Sequence, residues 1–239
     1  MKRVTLAVAA IICSSTVLAD MDREPERDTW EIELGVGAAS YKPLYKGFDS
    51  EVQALPMFAV RYNEFFLDGP SVGYEFYSSE RMSAYTSIGL DDPFSGERSD
   101  SDDAGVKALG DVDSGVNLTT GGEMFTPVGL LSASISRDVS GEHDGISASL
   151  EWAVPFEYEA LTLLPNAQIS WASKDLVNHY YGVSAKQAAK SGFAQYSASS
   201  TTTYSVGVNA EYQLSDHWVL MGGLSYTQYG SAVADSPLT

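Results

Sequence analysis

From Trp30 onward the chain is written in a period of two, apolar then small or polar, in segments of about ten residues. In Tyr204 to Leu214, Tyr204, Val206, Val208, Ala210, Tyr212 and Leu214 share one face of an extended segment, while Ser205, Gly207, Asn209, Glu211 and Gln213 take the other. One face suits lipid and the other a polar lumen, which is the alternation of a membrane β-barrel strand. A spanning helix needs roughly 20 consecutive apolar residues, and the sequence contains no such run.

The alternation recurs at Trp30 to Ala38 and at about 54–67, 70–78, 81–90, 115–124, 126–138, 145–157, 160–172, 203–214 and 217–229. Tight connections such as Asp68-Gly69-Pro70, Ser140-Gly141-Glu142 and Ser215-Asp216-His217 suit antiparallel neighbours. The pattern therefore predicts an all-β fold, an antiparallel up-and-down transmembrane β-barrel of about 10–12 strands. A soluble sandwich also alternates. It wants large apolar residues inside and polar ones outside, whereas the second face here is largely Gly, Ser, Ala, Asn and Glu in a chain of unbroken hairpins.

Lys2 and Arg3 followed by apolar Val4 to Ile12, with small residues at Val17-Leu18-Ala19, read as an export signal cut after Ala19. Residues 1–19 are thus expected to be a signal peptide and 20–239 a single outer-membrane barrel domain, with Asp20 to Thr29 a charged leader. Cys13 is the sole cysteine, and Ile12 stands where a lipidated cysteine is preceded by a small residue. The mature chain then has no thiol for a disulfide, a nucleophile or a metal ligand. Removing Lys2 and Arg3 takes the net charge from −18 to −20. That balance argues against nucleic acid, which is bound through basic side chains, and leaves outer-membrane lipid as the expected surrounding.

Two longer stretches interrupt the meander: Asp91 to Gly110, rich in Asp, Ser and Gly, and Lys174 to Thr202, whose Ser184 to Ser191 portion predicts a helical turn or two. Aromatics gather toward segment ends, as at Tyr41, Tyr45, Phe65, Phe66, Tyr180, Tyr181, Trp218, Tyr226 and Tyr229, and fit interfacial girdles. The histidines His143, His179 and His217 fall at or near turns. A barrel hydrolase needs a serine within reach of an oriented histidine, and His143 beside Asp144 in a Gly-flanked turn reads better as a turn residue. Asp100, Asp102, Gly105 and Asp111 imitate part of a calcium loop, but Ala104 replaces an oxygen ligand and no helix pair flanks them, so a solvated acidic loop is expected. Asn117-Leu118-Thr119 matches a glycosylation acceptor only incidentally. No catalytic, cofactor-binding or metal-binding residue is therefore expected.

Several strings resemble the MipA/OmpV family of Gram-negative outer-membrane proteins. They are Tyr41-Lys-Pro-Leu-Tyr45-Lys-Gly47, Leu55-Pro56 through Phe65-Phe66, Ala108-Leu109-Gly110-Asp111, Asp138 through Gly145, Tyr180-Tyr181-Gly182-Val183 and Ala234-Asp235-Ser236-Pro237. Family members usually continue past Ser-Pro into a strand that ends in an aromatic residue, and this sequence stops at Thr239. Either a closing strand is missing or the chain departs from the family in how it closes. Unpaired backbone groups in lipid cost several kcal/mol each, which favours a missing strand. The resemblance implies a non-enzymatic outer-membrane scaffold for a murein lytic transglycosylase and a penicillin-binding protein, or a role in envelope stress. A small channel and a lipid-modifying barrel enzyme are the alternatives.

Overall fold

A computed structural model describes residues 4–14, 30–91 and 97–239. The cleavage pattern at Val17 to Ala19 and the leader from Asp20 to Thr29 lie outside these described residues. Thirteen strands form one antiparallel sheet: β1 (Val4–Ser14), β2 (Trp30–Tyr41), β3 (Glu51–Tyr62), β4 (Phe65–Asp68), β5 (Ser71–Ser79), β6 (Met82–Leu90), β7 (Val116–Thr126), β8 (Gly129–Asp138), β9 (Ile146–Ala153), β10 (Phe156–Tyr158), β11 (Leu161–Ala172), β12 (Thr201–Ser215) and β13 (Trp218–Gln228). Beyond β1, neighbours in sequence pair from β2 through β9 and again from β10 through β13. β9 also pairs with β11, and β10 extends the same rail along β11. Because β1 pairs with both β13 and β2, the ladders run round into a ring.

Burial explains the alternation read in the sequence. Trp30, Ile32, Leu34 and Val36 are exposed on the outside of β2, while Glu31, Glu33, Gly35 and Gly37 turn inward and are half-buried. Tyr204, Val206, Val208, Tyr212 and Leu214 do the same on β12. An apolar outer belt with a polar interior is stable only in lipid. Hydroxyl pairs bridge neighbouring strands on the lumen face, Thr119 with Ser136 at 2.7 Å, Ser134 with Ser149 at 2.9 Å and Ser205 with Thr227 at 2.9 Å.

Two prolines sit where the wall is interrupted. Pro165 in β11 accepts from Val154 N at 3.0 Å, so its N–H-less side faces the break between β9 and β10. On β3, Phe58 O accepts from Gly69 N at 3.1 Å, and residues two apart share a side, so Pro56 also faces away from β2. There β4 covers only Ala59 to Tyr62.

The structure differs from the sequence reading at several elements. The segment read as one strand at 54–67 is a hairpin, because Asn63 adopts φ 53° and turns β3 into β4. Val4–Ser14, expected to be the apolar part of an export signal, forms a strand between β13 and β2 here, and the expectation of cleavage after Ala19 stands beside that pairing. Lys174–Tyr181, read as loop, is a helix capped by Ser173. Tyr45 and Tyr180, read as girdle aromatics, are buried inside a cap.

That cap is made by the described residues of the connections at one end of the barrel, 42–50, 91, 97–115, 139–145, 173–200 and 229–239. It contains α1 (Ala104–Lys107), α2 (Lys174–Tyr181), α3 (Ala185–Ser191) and α4 (Ser231–Ala234). α3 begins with a reciprocal capping box between Ser184 and Gln187 and ends at left-handed Gly192, and it fulfils the helical turn expected there. Tyr45, Phe48, Val106, Val183 and Leu238 form one buried cluster, and Val177, Ala198, Ala232 and Val233 a second. Tyr181 and Tyr196 pack against both. Gly47 lies at φ 78°, and a Cβ there would collide with the backbone N of Asp103. The opposite end carries tight turns such as Glu80-Arg81 and Asp216-His217.

Candidate functional site at the mouth of the barrel

Asp91, just past the end of β6, gathers side chains from three other segments. Tyr180 of α2 donates its hydroxyl to Asp91 Oδ2 at 2.8 Å, and Asn117 of β7 donates Nδ2–H to Oδ1 at 3.2 Å. His143 Nε2 lies 3.1 Å from Oδ2. His143 Nδ1 accepts from Gly145 N at 2.9 Å, which leaves the ring hydrogen on Nε2, on the Asp91 side. The contact is close but its direction is not that of a good hydrogen bond, so it acts as an electrostatic approach.

The loop that carries His143 is held by Asp138 at the end of β8. Its Oδ1 accepts from Ser140 N at 2.8 Å and Ser140 Oγ at 2.6 Å, and its Oδ2 from His143 N and Asp144 N, each at 2.8 Å. A Cβ at Gly115 or Gly145 would press on the His143 ring, so both glycines are needed for its close seat. The His179 ring lies tilted at 46° to that of His143, 5.2 Å between centroids, and contacts Asp113 O at 2.9 Å. Among the described residues no serine hydroxyl is hydrogen-bonded to a histidine ring, and His217 is exposed at the opposite rim. Asp144 supplies its backbone N to Asp138 at φ 53°.

A second buried group lies higher in the cap. The Arg98 guanidinium is almost fully enclosed, donates Nη2–H to Tyr180 O and to Tyr45 OH, and sits 5.0 Å over the Tyr45 ring. Tyr45 OH in turn donates to Tyr180 O at 2.8 Å. In the acidic stretch expected to be solvated, Asp100, Asp102 and Asp111 are exposed, while the backbone around them is tied into this region. Asp103 Oδ1 caps α1 by accepting from Gly105 N and Val106 N, Ser101 is fully buried, and Asp111 accepts from Arg98 N, Ser99 N and Ser99 Oγ. Those donors hold the Asp111 carboxyl below the usual carboxylate range. Asp103 and Asp111 point at backbone amides rather than at one centre, and no metal-holding group of His, Cys, Asp and Glu occurs among the described residues. Asn117 faces Asp91 and Thr119 faces Ser136.

Below the cap the lumen is polar. Glu31, Glu33, Glu75, Glu123, Glu151 and Glu211 lie at inward positions, with Arg61 the basic side chain among them, 3.5 Å from Glu75 and over the Phe66 ring. A cavity of about 280 Å³ is lined by Glu151, Asn166, Gln168, Ser205 and Asn209, and one of about 160 Å³ by Tyr85, Glu123, Ser134, Glu151 and Gln168. Glu151 and Gln168 belong to both.

The site residues missed in the sequence are Asp91, Asp138, Tyr180 and Arg98. The available signal was small: Asp138 ends an alternating run ahead of Ser-Gly, and Asp91 ends another.

Residues 34–239 match the family described as MltA-interacting protein MipA. The chain is 26% identical over 237 residues to the MltA-interacting protein of Escherichia coli K12, covering 98% of this chain and 91% of that one. It is 25% identical over 209 residues to the putative outer membrane protein YiaT of the same strain, covering 87% and 84%. It is 26% identical over 245 residues to the outer membrane protein OmpV of Vibrio cholerae, covering 100% and 93%.

Proposed function

Starting from a chain that belongs to the MipA family and is an outer-membrane β-barrel, we propose that it is a non-enzymatic docking protein for murein-processing enzymes. A relative is named for its interaction with MltA, and a murein lytic transglycosylase is the corresponding partner here. A penicillin-binding protein held beside it, or a part in envelope stress, extends the same reading. The observation that carries it is how the polar groups of the long loops are used. His143, Asp91, Asp138, Tyr180 and Arg98 are engaged with one another and with backbone inside a packed cap, so the cap end offers structure rather than a reaction centre.

In barrels of this kind the short turns face the periplasm, where murein enzymes work. Glu64, Glu80, Arg81, Glu157, Tyr158 and Asp216 are exposed on that rim. Affinity-tagged protein in detergent-solubilised outer membranes is expected to retain the transglycosylase. Replacing Glu157, Tyr158 and Glu159 by serine should weaken retention while the boiled and unboiled forms still differ in gel mobility. Failure of the unaltered protein to retain any murein enzyme would sink the reading.

The alternative of a small channel draws on the two lumen cavities that share Glu151 and Gln168 in their linings. Barrels near this size are often filled by side chains. Reproducible conductance steps in planar bilayers are what that reading requires.

A further inference from the structure

Among the described residues the barrel wall has a gap on one flank. β2 accompanies β3 from Glu51 to Tyr62, but on the other side β4 pairs only with Ala59 to Tyr62, and the chain turns back at Gly69 into β5. Above the contact from Gly69 N to Phe58 O, no described strand or backbone hydrogen bond meets β3 on that side. By the parity of the strand, the N–H and C=O groups of Val52 and Ala54 and the C=O of Pro56 point into the gap. Pro56 is the residue of this strand that forfeits least by facing no neighbour, and a proline there also resists addition of a foreign strand. Val52 on the outer face is 76% exposed, and Met57, at an inward position beside Gly35, is 36% exposed.

Directly beneath the gap, one row of the ladder reads Glu33, Ala59, Asp68, Ser71. Two carboxylates therefore flank a small alanine at the lower lip. In the next inward row, Phe66 lies over Gly73, packs edge-on against Tyr85 at 5.8 Å and carries the Arg61 guanidinium, which is turned toward Glu75, over its ring. The gap lies in the half of the wall nearer the cap, on the side of the outer leaflet when the short turns face the periplasm.

We infer that this gap is a lateral portal between the lumen and the outer leaflet, and that it admits a cationic amphiphile whose ammonium head sits between Glu33 and Asp68 while its chain leaves past Met57 into lipid. The head supplies N–H donors for the two carboxylates, and the chain supplies apolar cover for Met57. An anionic amphiphile would meet carboxylates with its own charge. This inference is independent of the docking reading, since it uses the wall and not the rim.

The test is photolabelling of the folded full chain in lipid nanodiscs with a diazirine-bearing dodecylammonium, followed by peptide mapping. Labelling should concentrate on the peptide carrying Met57 over those carrying outer-belt Ile135 and Leu150. It should be competed by dodecylammonium but not by dodecanoate, and the Glu33→Gln/Asp68→Asn variant should lower it about tenfold, as for loss of a charge-assisted contact. Met57→Trp, which fills the gap and leaves both carboxylates, should also abolish it. Both variants are first shown to keep the unboiled gel shift. Uniform labelling around the belt, equal competition by dodecanoate, or a protein–protein adduct from a photoreactive residue at position 57 would each overturn the proposal.

Discussion

The wall and the cap are built on opposite rules. In the wall, large apolar side chains such as Ile32, Val206 and Ile135 face outward and polar ones face inward. In the cap, Tyr45, Val106, Val183 and Leu238 are buried and the polar groups surround them. The wall depends on lipid for its apolar face and on closed ladders for its backbone, whereas the cap is held as a water-soluble domain is held, by burial and hydrogen bonds. Few side chains couple the two, and Asp91, Asn117 and Asp138 at the strand ends are where they meet. A change in one region should therefore leave the other largely intact.

The largest effect is expected in the wall. Leu150→Arg places a cation on the lipid face and should cost about 2–4 kcal/mol of folding stability near the bilayer midplane. Ser149→Ala, its lumen-facing neighbour, should change little. Urea unfolding of both variants in lipid vesicles measures the difference. Equal losses would mean that the outer face is not in lipid.

The cap responds next. Val106→Ala opens a cavity in the first cluster and should cost about 1–3 kcal/mol, and Gly47→Ala adds strain at φ 78° against Asp103. Both should expose residues 97–110 to proteolysis while the boiled and unboiled barrel still separate on a gel. If the gel shift disappears with the cap, wall and cap form one cooperative unit and the comparison fails.

His143→Gln tests the joint between them. It keeps a polar side chain of similar reach but gives up the ring seated on Gly115 and Gly145, and about 1 kcal/mol is expected, typical of one buried hydrogen bond. Hydrogen exchange should quicken at 139–145 and in α2 together, since Tyr180 shares Asp91 with His143. Quickening of the loop alone would place the joint elsewhere.

The two regions were also unequally legible in the sequence. Wall strands repeat a period that lipid and lumen impose on every second residue, so Trp30, Ile32, Leu34 and Val36 announce their face without knowledge of any partner. Where the period ran on through a turn, it misled: apolar positions continue from Val60 to Leu67, and Asn63 alone marks the reversal. The cap has no such period. Its core joins Tyr45, Val106, Val183 and Leu238 from four separate connections, and its hub joins Asp91 to Tyr180. Composition could flag Tyr45 and Tyr180 as aromatics near strand ends, but burial in a cap and placement in a girdle use the same residue type. Only α3 gave a local signal strong enough to read, through Ser184 and Gln187.

Acidification separates the regions by the smallest margin. Asp111 is held below the ordinary carboxylate range by hydrogen bonds from Ser99 and Arg98. A group whose folded value is lowered favours the folded state above its unfolded value, about 3.9 for Asp, and that contribution is lost as pH falls through the folded value. Amide protection at Arg98 and Ser99 should then stay level from neutral pH down to about 4 and decline below it, whatever the wall does. Asp111→Asn, which accepts fewer charge-assisted bonds, should start from weaker protection and show a flatter decline. A decline of the same shape in both proteins would assign the acid response to a group other than Asp111.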